Sequence, residues 1–248
     1  MSWENEFHPG PHFCHSDKGH CYHGPDAGTP LLVLDHVCLY RGSRLILDNI
    51  DFTVNLGDFI AITGPNGGGK TSLLRIILGL LKPTSGTCST APGAAKPAFG
   101  YLPQKNAVDS HFPITVGEVV ESGLMGTGIR GDRSRRLVDE TLGAIGLSDL
   151  ADRPIGQLSG GQLQRALFGR AIISGPDVLV LDEPLSYLDR HFSEELYAIV
   201  QRLAHHTTIL LVSHQMSRIA SMANRHIIID RTLTECHCHN HHVADDCY

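Results

Sequence analysis

The sequence predicts an α/β fold built on an open parallel sheet of the nucleotide-binding kind. Three apolar runs carry that expectation: Phe59 to Thr63, Val178 to Leu181 and Thr208 to Val212. Each is short and apolar almost throughout, as a strand buried on both faces must be. Helical patterns lie between the runs, and strands alternating with helices favour a parallel sheet with crossover connections. The first run passes at once into glycines and then into helical spacing from Thr71 to Leu81, closed by Lys82-Pro83.

Along its 248 residues the chain opens with a segment, 1–30, rich in Gly, Pro, His and Asp and without apolar periodicity. It reads as a flexible tail. Leu31 to Leu34 and Val37 to Tyr40 are strand material, and Asp51 to Val54 alternates as a half-buried antiparallel strand does. There is no internal repeat and no heptad run. Hydrophobic residues make up 42% and charged residues 19% of the chain, ordinary for a globular α/β protein. The longest apolar runs, such as Ile76 to Leu81, are too short to cross a bilayer. Met1 to His8 is polar and mixed, unlike an export leader, so a cytoplasmic location is expected. The formal net charge of -6 speaks against nucleic acid as the main partner, because a phosphate backbone needs a basic face.

Gly64-Pro65-Asn66-Gly67-Gly68-Gly69-Lys70-Thr71, with Ser72 next, fits G-x-x-x-x-G-K-[ST] between an expected strand and an expected helix, the context the motif requires. Glycines allow successive backbone N–H groups to turn inward around phosphates, where a Cβ would obstruct them. The following helix adds its positive end. Lys70 is expected to reach the β- and γ-phosphates of ATP, and the Thr71 hydroxyl to ligate Mg²⁺. By itself the loop identifies only a P-loop NTPase.

Further on, Leu158-Ser159-Gly160-Gly161-Gln162 opens a helical stretch that runs to Ser174. Its bare N–H groups and helix dipole make a second anion site. One chain already has its phosphate loop, so a second anion site implies another chain's nucleotide. The strand Val178 to Leu181 then ends in Asp182-Glu183, at the carboxyl edge where ligands of open α/β sheets bind. Asp182 is expected to hold Mg²⁺ through its water shell, and Glu183 to polarise the attacking water as general base. Leu188-Asp189 follows, and His214 ends the last apolar strand.

These residues, in this order, resemble the ABC ATPase family, and the resemblance covers the chain from about Leu31 to Arg231. It implies a P-loop NTPase core with an antiparallel β subdomain and an inserted helical subdomain at about 105–170. It also implies a homodimer in which the Ser159 loop of one subunit closes over the γ-phosphate held by the other. The resemblance makes His214 a switch histidine on the γ-phosphate. Gln104 becomes a contact to Mg²⁺ and the lytic water that signals to the membrane partner, and Tyr40 the aromatic that stacks on adenine. Two departures from the family pattern stand out: Tyr187 where smaller or polar residues are usual, and Gly68 where alanine or serine is commoner, a change expected to cost little.

Only 89 residues separate Lys70 from Ser159, too few for the coiled coil of DNA-repair members, and the chain carries one cassette rather than two. It therefore resembles the ATPase subunit of an importer whose integral membrane permease is a separate chain, placing it peripherally on the cytoplasmic face of the membrane. The stretch Val108 to Val116, with Val119-Val120, is similar to the branch that imports zinc, manganese or iron(II), which implies a metal-binding protein as an indirect partner. Both ends are rich in Cys and His: Cys14, His15, His20, Cys21 and His23 in the first segment, and Cys236, His237, Cys238, His239, His241 and His242 in the last, 232–248. Thiolate with imidazole suits Zn²⁺ over Mn²⁺. Such tails fit a zinc sensor, a metal buffer on an ATPase with another substrate, or a passive His-rich end.

Overall fold

The computed structural model describes residues 28–104, 112–184, 190–213 and 222–236. Two sheets organise them. The first joins β1 (Pro30–Arg41), β2 (Arg44–Asn55) and β4 (Ser85–Thr90), all antiparallel, in the order β2-β1-β4. The two strand pieces read from the sequence are one strand, interrupted at His36, whose φ of 49° marks a bulge.

The second sheet has six strands. In spatial order these are β5 (Phe99–Leu102), β6 (Val178–Asp182), β7 (Thr208–Val212), β3 (Phe59–Thr63), β8 (Arg225–Asp230) and β9 (Thr232–Cys236). All pair in parallel except β8 with β9. Period-2 alternation sends side chains to both faces. Ile60, Ile62, Val178, Val180, Leu210 and Val212 face the antiparallel sheet, while Phe59, Ala61, Leu179, Leu181, Ile209 and Leu211 pack toward the helices of the insert. Burial on both faces is why these strands read as unbroken apolar runs.

Helix α1 (Lys70–Ile77) packs Leu73, Leu74, Ile76 and Ile77 on the first of those faces. It is shorter than the spacing to Leu81 suggests. Gly79 at φ 70° ends it, with the Gly79 N–H donating to the Ile76 carbonyl and that of Leu80 to Arg75. This left-handed C-terminal turn stops the helix before Lys82-Pro83 is reached. Between β5 and β6 lie α2 (Val116–Glu121), α3 (Asp132–Ala144) and α4 (Gly160–Ile172), whose apolar faces share one cluster with the sheet. Helix α5 (Arg190–Leu203) crosses from β6 to β7 and buries Leu196, Tyr197, Ile199 and Val200. Among the described residues no helix is long and apolar enough to cross a membrane.

Ending the folded body at 231 stops one strand short. Thr232–Cys236 pairs with β8, and Arg225 fastens it: its guanidinium donates to both Glu235 carboxylate oxygens at 2.7 and 3.1 Å and to Asp58 at 2.6 Å. Arg225 and Glu235 face each other across one hairpin, but Asp58 is 167 residues from Arg225, beyond the reach of local pattern.

Candidate active site

The carboxyl ends of β3, β6 and β7 lie side by side, and the site is built on them. After Thr63 the chain turns through Gly64 (φ 131°), Gly67 (φ 80°) and Gly69 (φ 109°), conformations that residues with a Cβ rarely adopt. Pro65, Asn66 and Gly67 are exposed at the tip, whereas Gly68, Gly69 and Lys70 form a buried floor and Thr71 and Ser72 are half-buried. Lys70 Nζ donates to the carbonyls of Gly64 at 2.8 Å and Pro65 at 2.9 Å, curling the side chain back under the loop. Burial holds its pKa below the usual lysine value, partly offset by the nearby charges of Glu183 and Asp182.

Gly68 is not a neutral choice here. A Cβ on it would lie 2.6 Å from the Ile229 carbonyl and 3.1 Å from that of Pro65. The β8–β9 turn is also latched to this residue, since the Arg231 N–H donates to the Gly68 carbonyl at 2.8 Å. Glycine at this position is therefore matched to its surroundings: in this chain the hairpin occupies the space a methyl group would need.

Asp182 closes β6 and is fully buried. Its Oδ2 accepts from the Thr71 hydroxyl at 2.8 Å, while Oδ1 is buried without a hydrogen-bond partner among the described residues. Burial pushes its carboxyl above the usual range; the Thr71 hydroxyl pulls the other way, and Glu183 adds to the rise. A leftover buried acceptor beside a hydroxyl and below a glycine cradle suits a hydrated divalent cation with a polyphosphate. The residues present thus fit Mg²⁺ with ATP.

Raised carboxyls have a definite effect on stability. The contribution from Asp182 is fully present below the unfolded value, near 3.8, and is lost as pH rises through the elevated folded value. Asp182→Asn removes that loss. In the nucleotide-free protein its Tm, measured relative to wild type, should therefore climb as pH goes from acid to neutral. A Tm difference that stays flat with pH would contradict this account.

Glu183 follows at φ 52°, a left-handed conformation for a residue with a side chain. Its N–H donates to Val212 at the end of β7, 3.0 Å away. The positive φ turns the backbone out of the strand direction just after this last ladder bond, and Glu183 is half-buried where Asp182 is fully buried. Ser159 caps α4 in a reciprocal box: its hydroxyl accepts from the Gln162 N–H at 3.2 Å, and the Gln162 side chain accepts from the Ser159 N–H at 3.0 Å. Ser159 and Gly160 are exposed, Gly161 and Gln162 half-buried, so the helix end faces outward.

Tyr40 is 47% exposed at the end of β1, which rules out a core ring and leaves its face open. Gln104 is half-buried just past β5. His214, Tyr187, Asp189 and the segment 105–111 lie outside the described residues, as do Cys14, His15, His20, Cys21, His23, His237, Cys238, His239, His241 and His242. Cys236 is half-buried at the end of β9. Two residues were not singled out by sequence. The Arg44 guanidinium comes within 3.9 Å of where a Cβ on Gly67 would stand, and Arg75 bonds Tyr101 beside Asp182. No motif marks either; α1 and the β1–β2 turn carry them there.

A glycine cradle with a buried lysine, and a helix hydroxyl bonded to a carboxylate at the end of β6, are the parts of a P-loop nucleotide site. The chain matches the family model described as ABC transporter over residues 47–186, more than half its length, and it belongs to that family, as an ATPase. It is 38% identical over 214 residues to a probable metal transport system ATP-binding protein of Chlamydia trachomatis serovar D, covering 83% of this chain and 91% of that one. It is 36% identical over 218 residues to the zinc import ATP-binding protein ZnuC of Pseudomonas savastanoi pv. phaseolicola, covering 87% and 78%. Among solved structures, it superposes with TM-score 0.73 and 26% identity on an ATP-binding cassette in a dimeric post-hydrolysis state bound to ADP and phosphate, covering 83% of this chain and 98% of that one.

Proposed function

We propose that this chain hydrolyses ATP to drive inward transport of a divalent transition metal, zinc foremost, through a separate membrane permease, acting as one half of a dimer. The outward-facing N-terminus of α4 carries the dimer reading: it is an anion site with no use for this chain's own nucleotide. Likeness to metal-transport and zinc-import subunits over more than four fifths of the chain carries the cargo.

In this reading the N–H groups of residues 64–71 cradle the phosphates, Lys70 leaves the loop carbonyls for the β- and γ-phosphates, and Thr71, Asp182 and Gln104 hold Mg²⁺. The cation, when bound, neutralises charge on the phosphates. The Glu183 carboxylate orients the attacking water and takes its proton, with His214 holding the γ-phosphate. Tyr40 stacks on adenine. The partner subunit's nucleotide meets Ser159, Gly160, Gly161 and Gln162.

A groove of about 270 Å³ on the helical insert, lined by Phe112, Ile114, Val119, Ile155, Leu163 and Arg170, supports docking of a permease helix. Phe112 is 60% exposed there, an apolar cost that a partner would relieve. The Cys/His ends are read as zinc ligands that report the cytoplasmic pool.

Cells lacking this subunit should grow poorly under chelation and recover when Zn²⁺ is added. Complementation with 31–236 alone should restore uptake without the restraint by excess zinc that the full chain shows. Recovery on a sugar, amino acid or peptide and on no metal would refute the cargo.

A further inference from the structure

Helix α4 does more than present its end. Gln164, one turn in, is 0% exposed, and its Nε2 donates to the Pro184 carbonyl at 3.3 Å. A core position that needed only volume would take Leu or Met, because a buried amide is costly unless it is bonded. The bond falls at an unusual corner. Glu183 sits at φ 52°, and the proline after it narrows its backbone further, so the corner must be held in place by its surroundings. Two bonds flank it: the Glu183 N–H reaches β7 through Val212, and the Pro184 carbonyl is reached from α4 by Gln164.

We propose that Gln164 is a positioning residue for hydrolysis, tying this chain's own α4 to the Glu183-Pro184 corner so that the Glu183 carboxylate is set by where that helix sits. The inference rests on Glu183 being the base. Its consequence is that the helix whose exposed end meets the partner's nucleotide also governs the water-activating group of its own chain. Engagement at one of the two dimer sites is thereby felt at the other, within a single subunit. Gln164 itself touches neither nucleotide nor water; it acts through the backbone.

Gln164→Met keeps the volume and removes the donor, and Gln164→Glu carries a donor O–H only when protonated. Each full-length variant is compared with wild type at matched pH for ATP turnover, KM for ATP and Tm. Gln164→Met should lose about tenfold in kcat with KM for ATP unchanged, the scale of one hydrogen bond lost near the reacting groups. Turnover of Gln164→Glu relative to wild type should rise as pH falls, while that of Gln164→Met stays flat. If Gln164→Met folds poorly, the pH profile of the Glu variant decides alone. Wild-type kcat in Gln164→Met overturns the proposal, and so does a loss in both variants that is the same at every pH. Glu183→Gln measured alongside separates the two ideas: wild-type turnover there removes Glu183 as base, whatever Gln164 does.

Discussion

Replacing Lys70 with alanine should cut ATP turnover by about 10²-fold or more, because the ammonium is the one buried cation aimed into the loop among the described residues. Its charge is 6% exposed, bonded to two loop carbonyls, and burial lowers its pKa despite the nearby charges of Glu183 and Asp182. A polyphosphate supplies the counter-charge that the loop itself lacks. Removing the amine therefore costs little before nucleotide arrives, since Pro65 is exposed and water can take its carbonyl. The expected pattern is an unchanged or slightly higher Tm without nucleotide, together with lost turnover and lost stabilisation by Mg·ATP. Nucleotide-induced gain in Tm measures the last directly. Wild-type hydrolysis in Lys70→Ala would remove the loop from the mechanism.

Glu183→Gln should lower turnover by about 10²–10⁴-fold, the usual contribution of a positioned general base, while leaving ATP binding intact. The substitution keeps shape and hydrogen bonding, and the backbone N–H at this residue keeps its bond to the Val212 carbonyl of β7. Binding without hydrolysis should hold two subunits around two ATP molecules, each between the Gly64 loop of one and the Ser159 end of the other. Light scattering with Mg·ATP should then give a dimer for Glu183→Gln where wild type remains mostly monomeric. A variant that stays monomeric at high protein concentration, or that turns over ATP like wild type, would count against the assignment.

The Asp182 prediction separates structure from chemistry in a complementary way. Its Oδ1, buried without a hydrogen-bond partner among the described residues, costs stability until a cation is bound in the proposed reading. A substitution that raises Tm and abolishes hydrolysis together is the expected signature of a group kept for function at the expense of the fold.

Much of the fold was legible because its signals are local. A strand buried on both faces has no polar side to display, so β3, β6 and β7 announce themselves as apolar runs within five residues each. The phosphate loop is legible for the same reason: its glycines, lysine and threonine are contiguous, and their chemistry follows from backbone N–H groups and a helix end. Ser159 and Gln162 form a capping box across three residues, again a short-range pattern. The end of α1 falls earlier than Lys82-Pro83 marks it, because the left-handed Gly79 acts before the proline is reached.

Sequence alone thus determined the parallel α/β class, the phosphate-loop motif, the carboxylates as candidates at the end of β6, and the order of motifs that marks the ABC family. Only the tertiary structure decided which of these groups meet. Thr71 and Asp182 are 111 residues apart and bond because β3 and β6 flank β7 in one sheet. Gly68 must be glycine because a hairpin from the far end of the chain lies against it, and β9 belongs to the fold because Arg225 reaches Glu235 and Asp58. Glu183 keeps the last ladder bond to β7 while its left-handed φ turns the chain out of the strand, and Gln164 meets Pro184 across the seam between insert and core. Propensity and periodicity act over a handful of residues, whereas these contacts arise when buried surfaces made of distant segments pack together.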